Sequence, residues 1–195
     1  MIRRRIFSKG LLAAMLAGFS VLKGRNAQAS EDVLAAFIQR WCHPDHPADP
    51  VAPGAFDILE QELGVKLPSD YKELLLRNGR PSPTLRLLTA VVDHPVAWWQ
   101  AYLPDLAALT DPSEISEDTK TWQEAGMPDH FLKFGWDSLG NAFCFRLDEL
   151  GSRNGAPAEV WFWDHDLGDS FKVADSFTAL IERYLALPDP VSDLD

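Results

Sequence analysis

Apolar residues fall at helical spacing through the first third of the chain. Val33, Leu34, Phe37, Ile38 and Trp41 share one face, and Ser30 is placed to cap a helix running to about Trp41. The Pro-rich stretch from Pro44 to Pro53 breaks it. Phe56, Leu59 and Leu63 predict a second helix over Ala55 to Leu63, with Gly64 as a left-handed C-cap. After Val65-Lys66-Leu67-Pro68, Ser69 is expected to cap a third helix carrying Tyr71, Leu74 and Leu75, which Asn78-Gly79 ends.

Beyond Gly79 the period changes. Leu85 to Val92 reads as a strand, as do Phe131 to Phe134, Ala142 to Leu147 and Glu159 to Trp163, which are short, aromatic and bounded by turn residues. Asp137-Ser138-Leu139-Gly140-Asn141 is a turn between two of them, and Gly151 to Pro157 is a loop. Helices are expected over Val96 to Leu106 and near Asp118 to Ala125. Asp175 or Ser176 caps a last amphipathic helix with Phe177, Leu180, Ile181, Tyr184 and Leu185 on one face. The predicted architecture is α+β: N-terminal helices, an antiparallel sheet of short strands and a closing C-terminal helix. Its expected core holds Phe56, Leu59, Leu67, Tyr71, Leu74, Phe134, Phe143, Phe145, Val160, Phe177 and Ile181.

Residues 1–29 have the form of a signal peptide rather than of a folded element. Arg3-Arg4-Arg5 is a basic start, Gly10 to Leu22 is apolar but short of a bilayer span, and Ala27-Gln28-Ala29 is a cleavage signal. Arg4-Arg5-Ile6-Phe7-Ser8-Lys9 resembles the twin-arginine export motif. The expected destination is the periplasm or the exterior after cleavage near Ala29; the alternative is a cytoplasmic protein that keeps a basic N-terminus. The remaining divisions are an N-terminal helix and Pro-rich linker over 30–54, the main domain over 55–187 and an acidic tail over 188–195.

Charge sharpens this division. Six of the 18 Lys and Arg lie before residue 30 and none of the 29 acids does, so residues 30–195 carry a net charge of −17. Such a body repels nucleic acid and anionic membranes and attracts a basic partner, unless its acidity serves solubility alone. Cys42 and Cys144 form no C-x-x-C pair; they are either two buried thiols or, in an oxidising compartment, a disulfide. His43, Asp45, His46 and Asp49 are dense enough to suggest a cation site, but Pro44, Pro47 and Pro50 hold them extended, so a solvated linker and no metal is the expectation. No G-x-S-x-G, Cys–His arrangement or phosphate loop is present, so no catalytic residue and no cofactor is assigned.

The ordered motifs carry a resemblance. Phe56-Asp57-Ile58-Leu59-Glu60-Gln61-Glu62-Leu63-Gly64-Val65-Lys66-Leu67-Pro68-Ser69-Asp70-Tyr71-Lys72-Glu73-Leu74-Leu75, closed by Asn78-Gly79, resembles the opening signature of the SUKH superfamily. Phe131 to Gly135 with Gly140-Asn141 is similar to its central hairpin, and Val160 to Asp166 with Val173 to Phe177 to its last strand and closing helix. The likeness runs from about Ala55 to Leu185. It implies a non-enzymatic domain of the Smi/Knr-like kind, whose bacterial members neutralise toxins by direct binding. An export segment and the Trp98-Trp99 pair depart from the pattern.

The resemblance, the charge and the seven Trp together lead to a protein-binding surface. Exposed aromatics rimmed by acids are what such surfaces use. The candidate contact residues are Trp98, Trp99, Trp136, Asp137, Trp163, Asp164 and Asp166, and the expected partner is a protein toxin with a basic surface. Core packing is the plainer explanation of each Trp. The alternative function is an exported envelope protein whose aromatics bind, or whose acids act on, cell-wall carbohydrate.

Overall fold

The computed structural model describes residues 33–93 and 102–190. A helix over residues 33–41 (α1) is followed by α2 (Ala55–Leu63), α3 (Ser69–Asn78) and α4 (Leu85–Asp93). Then come β1 (Ala108–Leu109), α5 (Ile115–Glu124), β2 (Phe131–Trp136), β3 (Ala142–Arg146), α6 (Leu147–Arg153), β4 (Val160–Asp164), β5 (Asp169–Ala174) and α7 (Phe177–Leu185). The five strands make one antiparallel meander in the order β1-β2-β3-β4-β5. The expected α+β arrangement with a closing C-terminal helix is therefore the one observed.

The inner face of the sheet packs on the helices. Leu132, Phe134, Phe143, Phe145, Val160 and Phe162 meet Leu34, Phe37 and Trp41 of α1, Phe56 and Leu59 of α2, Tyr71 and Leu74 of α3, and Phe177, Ile181 and Tyr184 of α7. Tyr71 is central: the rings of Phe177, Phe134, Phe145 and Phe56 lie 5.0–5.6 Å from its own. All eleven expected core residues are buried. Removing water from side chains of this size contributes about 1.5–3 kcal/mol each. The outer face carries a smaller cluster of Met127, Phe131, Ala142, Cys144 and Trp163. Cys42 and Cys144 are free thiols, and burial pushes both up, Cys42 to about 11.

Local signals account for part of the helical half, although Ser69, expected to cap α3, is its first residue, with Pro68 at the cap position and no side-chain cap bond. Gly64 ends α2 at φ +70°, and its N–H donates to the Glu60 carbonyl. Ser176 caps α7 by accepting from the Ala179 N–H at 3.0 Å. The Pro-rich stretch is tied down, since Asp49 and Arg80 exchange backbone hydrogen bonds of 3.0 and 2.7 Å.

Several elements differ from expectation. Leu85 to Val92 is a helix, not a strand. Its buried residues are Leu87 and Ala90, three apart, while Leu85 and Val92 face water. A strand would have put Leu85 and Leu87 on one face. Thr84 fixes the start: its N–H and hydroxyl both donate to the Trp41 carbonyl, and its own carbonyl accepts from the Leu87 N–H. The helix expected over Val96 to Leu106 falls mainly on residues outside those described; 102–106 are irregular, with Leu103 and Leu106 buried. Leu147 begins α6 rather than ending a strand, and this helix takes the first part of the expected loop. Left-handed Asn154 at φ 48° ends it. β1 and β5 are strands the sequence pattern did not predict.

One irregularity sets up the outer face. Lys133 pairs with Cys144, yet Gly135, two residues on, pairs with Phe143. The extra residue in β2 is a bulge that breaks the alternation. Trp136 consequently returns to the same face as Lys133. Gly135 is required there, because a Cβ would stand 2.8 Å from the Ala108 carbonyl oxygen of β1.

Candidate functional site: a groove between α5 and the outer sheet face

α5 turns two faces to its surroundings. Ile115, Ser116 and Thr119 are buried. Glu114, Glu117, Asp118, Thr121 and Trp122 follow the i, i+3, i+4, i+7, i+8 spacing of a single stripe. That stripe, with Lys133, Trp136, Thr110 and Gly140, lines an open groove of about 570 Å³.

Lys133 organises the groove floor. Its side chain is only 3% exposed, and its ammonium pairs with the Asp118 carboxylate. The ammonium lies 5.3 Å from the ring centre of Trp122 and 4.7 Å from that of Trp136, within cation–π range of both. Asp118 also accepts from the Thr110 hydroxyl at 3.3 Å. Trp122 in turn meets Trp163 edge to face, with ring centres 5.7 Å apart. The floor is thus a closed cation–aromatic unit, built from a helix, a bulged strand and a second strand. Glu114 and Glu117 on the rim have no ion-pair partner among the described residues.

The expected contact residues are placed as follows. Trp98 and Trp99 lie outside the described residues. Trp136 is half-buried in the groove wall. Trp163 is 3% exposed and supports Trp122 from below. Asp137 is 2% exposed and holds its own turn, accepting from Leu139 N–H, Asn141 N–H and the Asn141 amide at 2.7–3.0 Å. Burial pushes its carboxyl above the usual range, although those hydrogen bonds oppose the shift. Trp163 and Asp137 therefore face the interior, and what they offer a partner is indirect. Asp164 shapes the β4–β5 turn by accepting from the Asp166 and Leu167 N–H groups at 3.0 Å, and Asp166 is exposed. The two turns are joined by His165, whose Nδ1 lies 2.7 Å from Asn141 Oδ1.

Sequence reasoning missed Trp122, Lys133, Asp118, Glu114 and Glu117. The stripe on α5 was readable as a helical period with the wrong chemistry for a core. The role of Lys133 was not, since it depends on the bulge. His43, Asp45, His46 and Asp49 lie along the tied-down stretch, with His43 and Asp45 3.8 Å apart and Asp49 turned to Arg80. Among the described residues, no three His, Cys, Asp or Glu side chains gather as a cation site, and no helix is long and apolar enough to cross a membrane.

Comparison with known proteins gives two findings. A family model described as SMI1 / KNR4 family (SUKH-1) matches residues 50–183. The SPbeta prophage-derived uncharacterized protein YokK of Bacillus subtilis (strain 168) is 26% identical over 140 residues, which cover 63% of this chain and 69% of that protein.

Proposed function

The chain belongs to the SMI1 / KNR4 family (SUKH-1), and from that premise we propose that it is an exported immunity-type protein that neutralises a bacterial toxin by direct binding. The observation that carries the reading is the open groove lined by Glu114 and Glu117, which have no ion-pair partner among the described residues, and by the indoles of Trp122 and Trp136. It lies on a body whose residues 30–195 carry a net charge of −17. Acids steer a basic partner into encounter, and aromatic anchors supply affinity once water is excluded. The twin-arginine-like Arg4-Arg5 supports an encounter in the envelope.

The test is protection. Cells making the full chain should survive delivery to the periplasm of a candidate toxin encoded by a neighbouring gene. Cells making the Arg4→Lys, Arg5→Lys double variant, which retains the protein inside, die. Death of both populations removes the reading; survival of both removes export from it. A second reading, binding of or action on cell-wall carbohydrate, draws on the same pair of indoles beside polar groups. Retention or turnover of purified cell-wall polysaccharide by the protein, without toxin binding, would replace the first reading with this one.

A further inference from the structure

We infer that the α5 groove is a receptor for an arginine side chain, presented by a basic segment of the partner, stacked against Trp122 and Trp136 and paired with Glu114 and Glu117. This inference rests on the reading of the chain as a protein-binding domain and specifies the chemistry of the contact.

Three observations carry it. The first is that the groove already accommodates a cation. Lys133 holds its ammonium against both indoles, so the faces of these rings are arranged for positive charge. The second is the distribution of acids. Asp118 is neutralised by Lys133, but Glu114 and Glu117 are exposed and have no ion-pair partner among the described residues. Acids in the first turn of a helix are ordinarily explained by the macrodipole. That accounts for the acids on α5 but not for two half-buried Trp facing the same space. The third is size. A volume of about 570 Å³, open to solvent, admits long side chains presented on a peptide segment.

Lys133 does not itself vacate the site. It is enclosed, and moving it would leave Asp118 with only the Thr110 hydroxyl and both indoles without their cation. The incoming cation therefore adds to the unit on its solvent side. Arginine fits this position better than lysine, because a planar guanidinium stacks on an indole while its edge pairs with a carboxylate. An anionic partner is disfavoured by the rim and by the net charge of the body.

The experiment is an NMR titration of the purified protein with a capped Gly-Arg-Gly-Arg-Gly peptide, set against its lysine and citrulline counterparts. The indole N–H signals of Trp122 and Trp136 should move saturably while that of buried Trp41 stays fixed. Citrulline should weaken binding by about tenfold or more, and lysine several-fold, as expected when stacked or paired charge is removed. The double variant Glu114→Gln, Glu117→Gln should weaken the arginine peptide about tenfold. The charge-matched variant Asp57→Asn, Glu73→Gln, on the helical side, should not. No movement at the two indoles, or equal loss in both double variants, overturns the inference. A candidate toxin from a neighbouring gene distinguishes failure of the groove assignment from failure of toxin binding. If wild type and the Glu114, Glu117 variant bind it equally, the groove assignment fails and toxin binding stands. If neither binds it, toxin binding fails, and the peptide titration alone decides the groove.

Discussion

Glu60 is a carboxylate with almost no access to water, at 4% exposure. Burial alone would raise its pKa. Lys66 Nζ at 2.6 Å, Lys72 Nζ at 2.5 Å and the Leu67 N–H at 2.9 Å donate to it, and together they hold it below the usual carboxylate range. A carboxyl whose folded pKa is depressed contributes stability above its unfolded pKa and loses it as pH falls through the folded value. Glu60→Gln should therefore cost about 1–3 kcal/mol near neutral pH. The gap from wild type should close as pH drops below the ordinary glutamate range. Urea titrations across that window measure it, and a gap independent of pH would refute the assignment. The Lys133–Asp118 pair predicts an asymmetry. Asp118→Ala strands an enclosed ammonium and should cost about 3–5 kcal/mol. Lys133→Met leaves a carboxylate whose side chain is 29% exposed to water, and should cost clearly less. Thermal melts of the two variants give the order.

At the scale of elements, α4 offers a clean test of helix against strand. Leu85 is 77% exposed and Leu87 1%. Leu85→Ala should stay within about 0.5 kcal/mol of wild type, whereas Leu87→Ala should cost about 2–5 kcal/mol. Equal costs would restore the alternating, strand-like face. The elements that were legible in the sequence are those whose signals are local. From Phe56 to Gly79 the apolar spacing, the left-handed Gly64 and the closing Asn78-Gly79 all act within a few residues of one another, and the structure follows them. α4 was not legible, because the dense apolar residues of Leu85 to Val92 suit a strand as well as a helix and its helical start is set by the carbonyl of Trp41, far away in sequence. β1 has two residues and exists because Gly135 lets it approach β2. The site divides in the same way. The α5 stripe is written in the sequence period. The meeting of Trp136 with Lys133 is not, because one extra residue in β2 reverses the alternation from which faces are read.

At the scale of the molecule, helices cover one face of the meander and leave much of the other to a small aromatic cluster and the α5 groove. The acidity of the body bears on rate more than on affinity. Raising ionic strength from about 0.01 M to about 1 M shortens the screening length from about 30 Å to about 3 Å. Association with a basic partner should slow steeply over that range, while dissociation, governed by the desolvated anchors, changes little. Stopped-flow measurements of both rates test this division. The most direct measurement of the proposed toxin binding is calorimetric titration of the purified protein with a purified candidate toxin encoded by a neighbouring gene. Saturable one-to-one binding is expected, tight enough to abolish the toxin's activity at equimolar protein and weakened by Glu114→Gln with Glu117→Gln. Absence of heat and of inhibition with wild-type protein, at concentrations where both components remain folded and soluble, would contradict it.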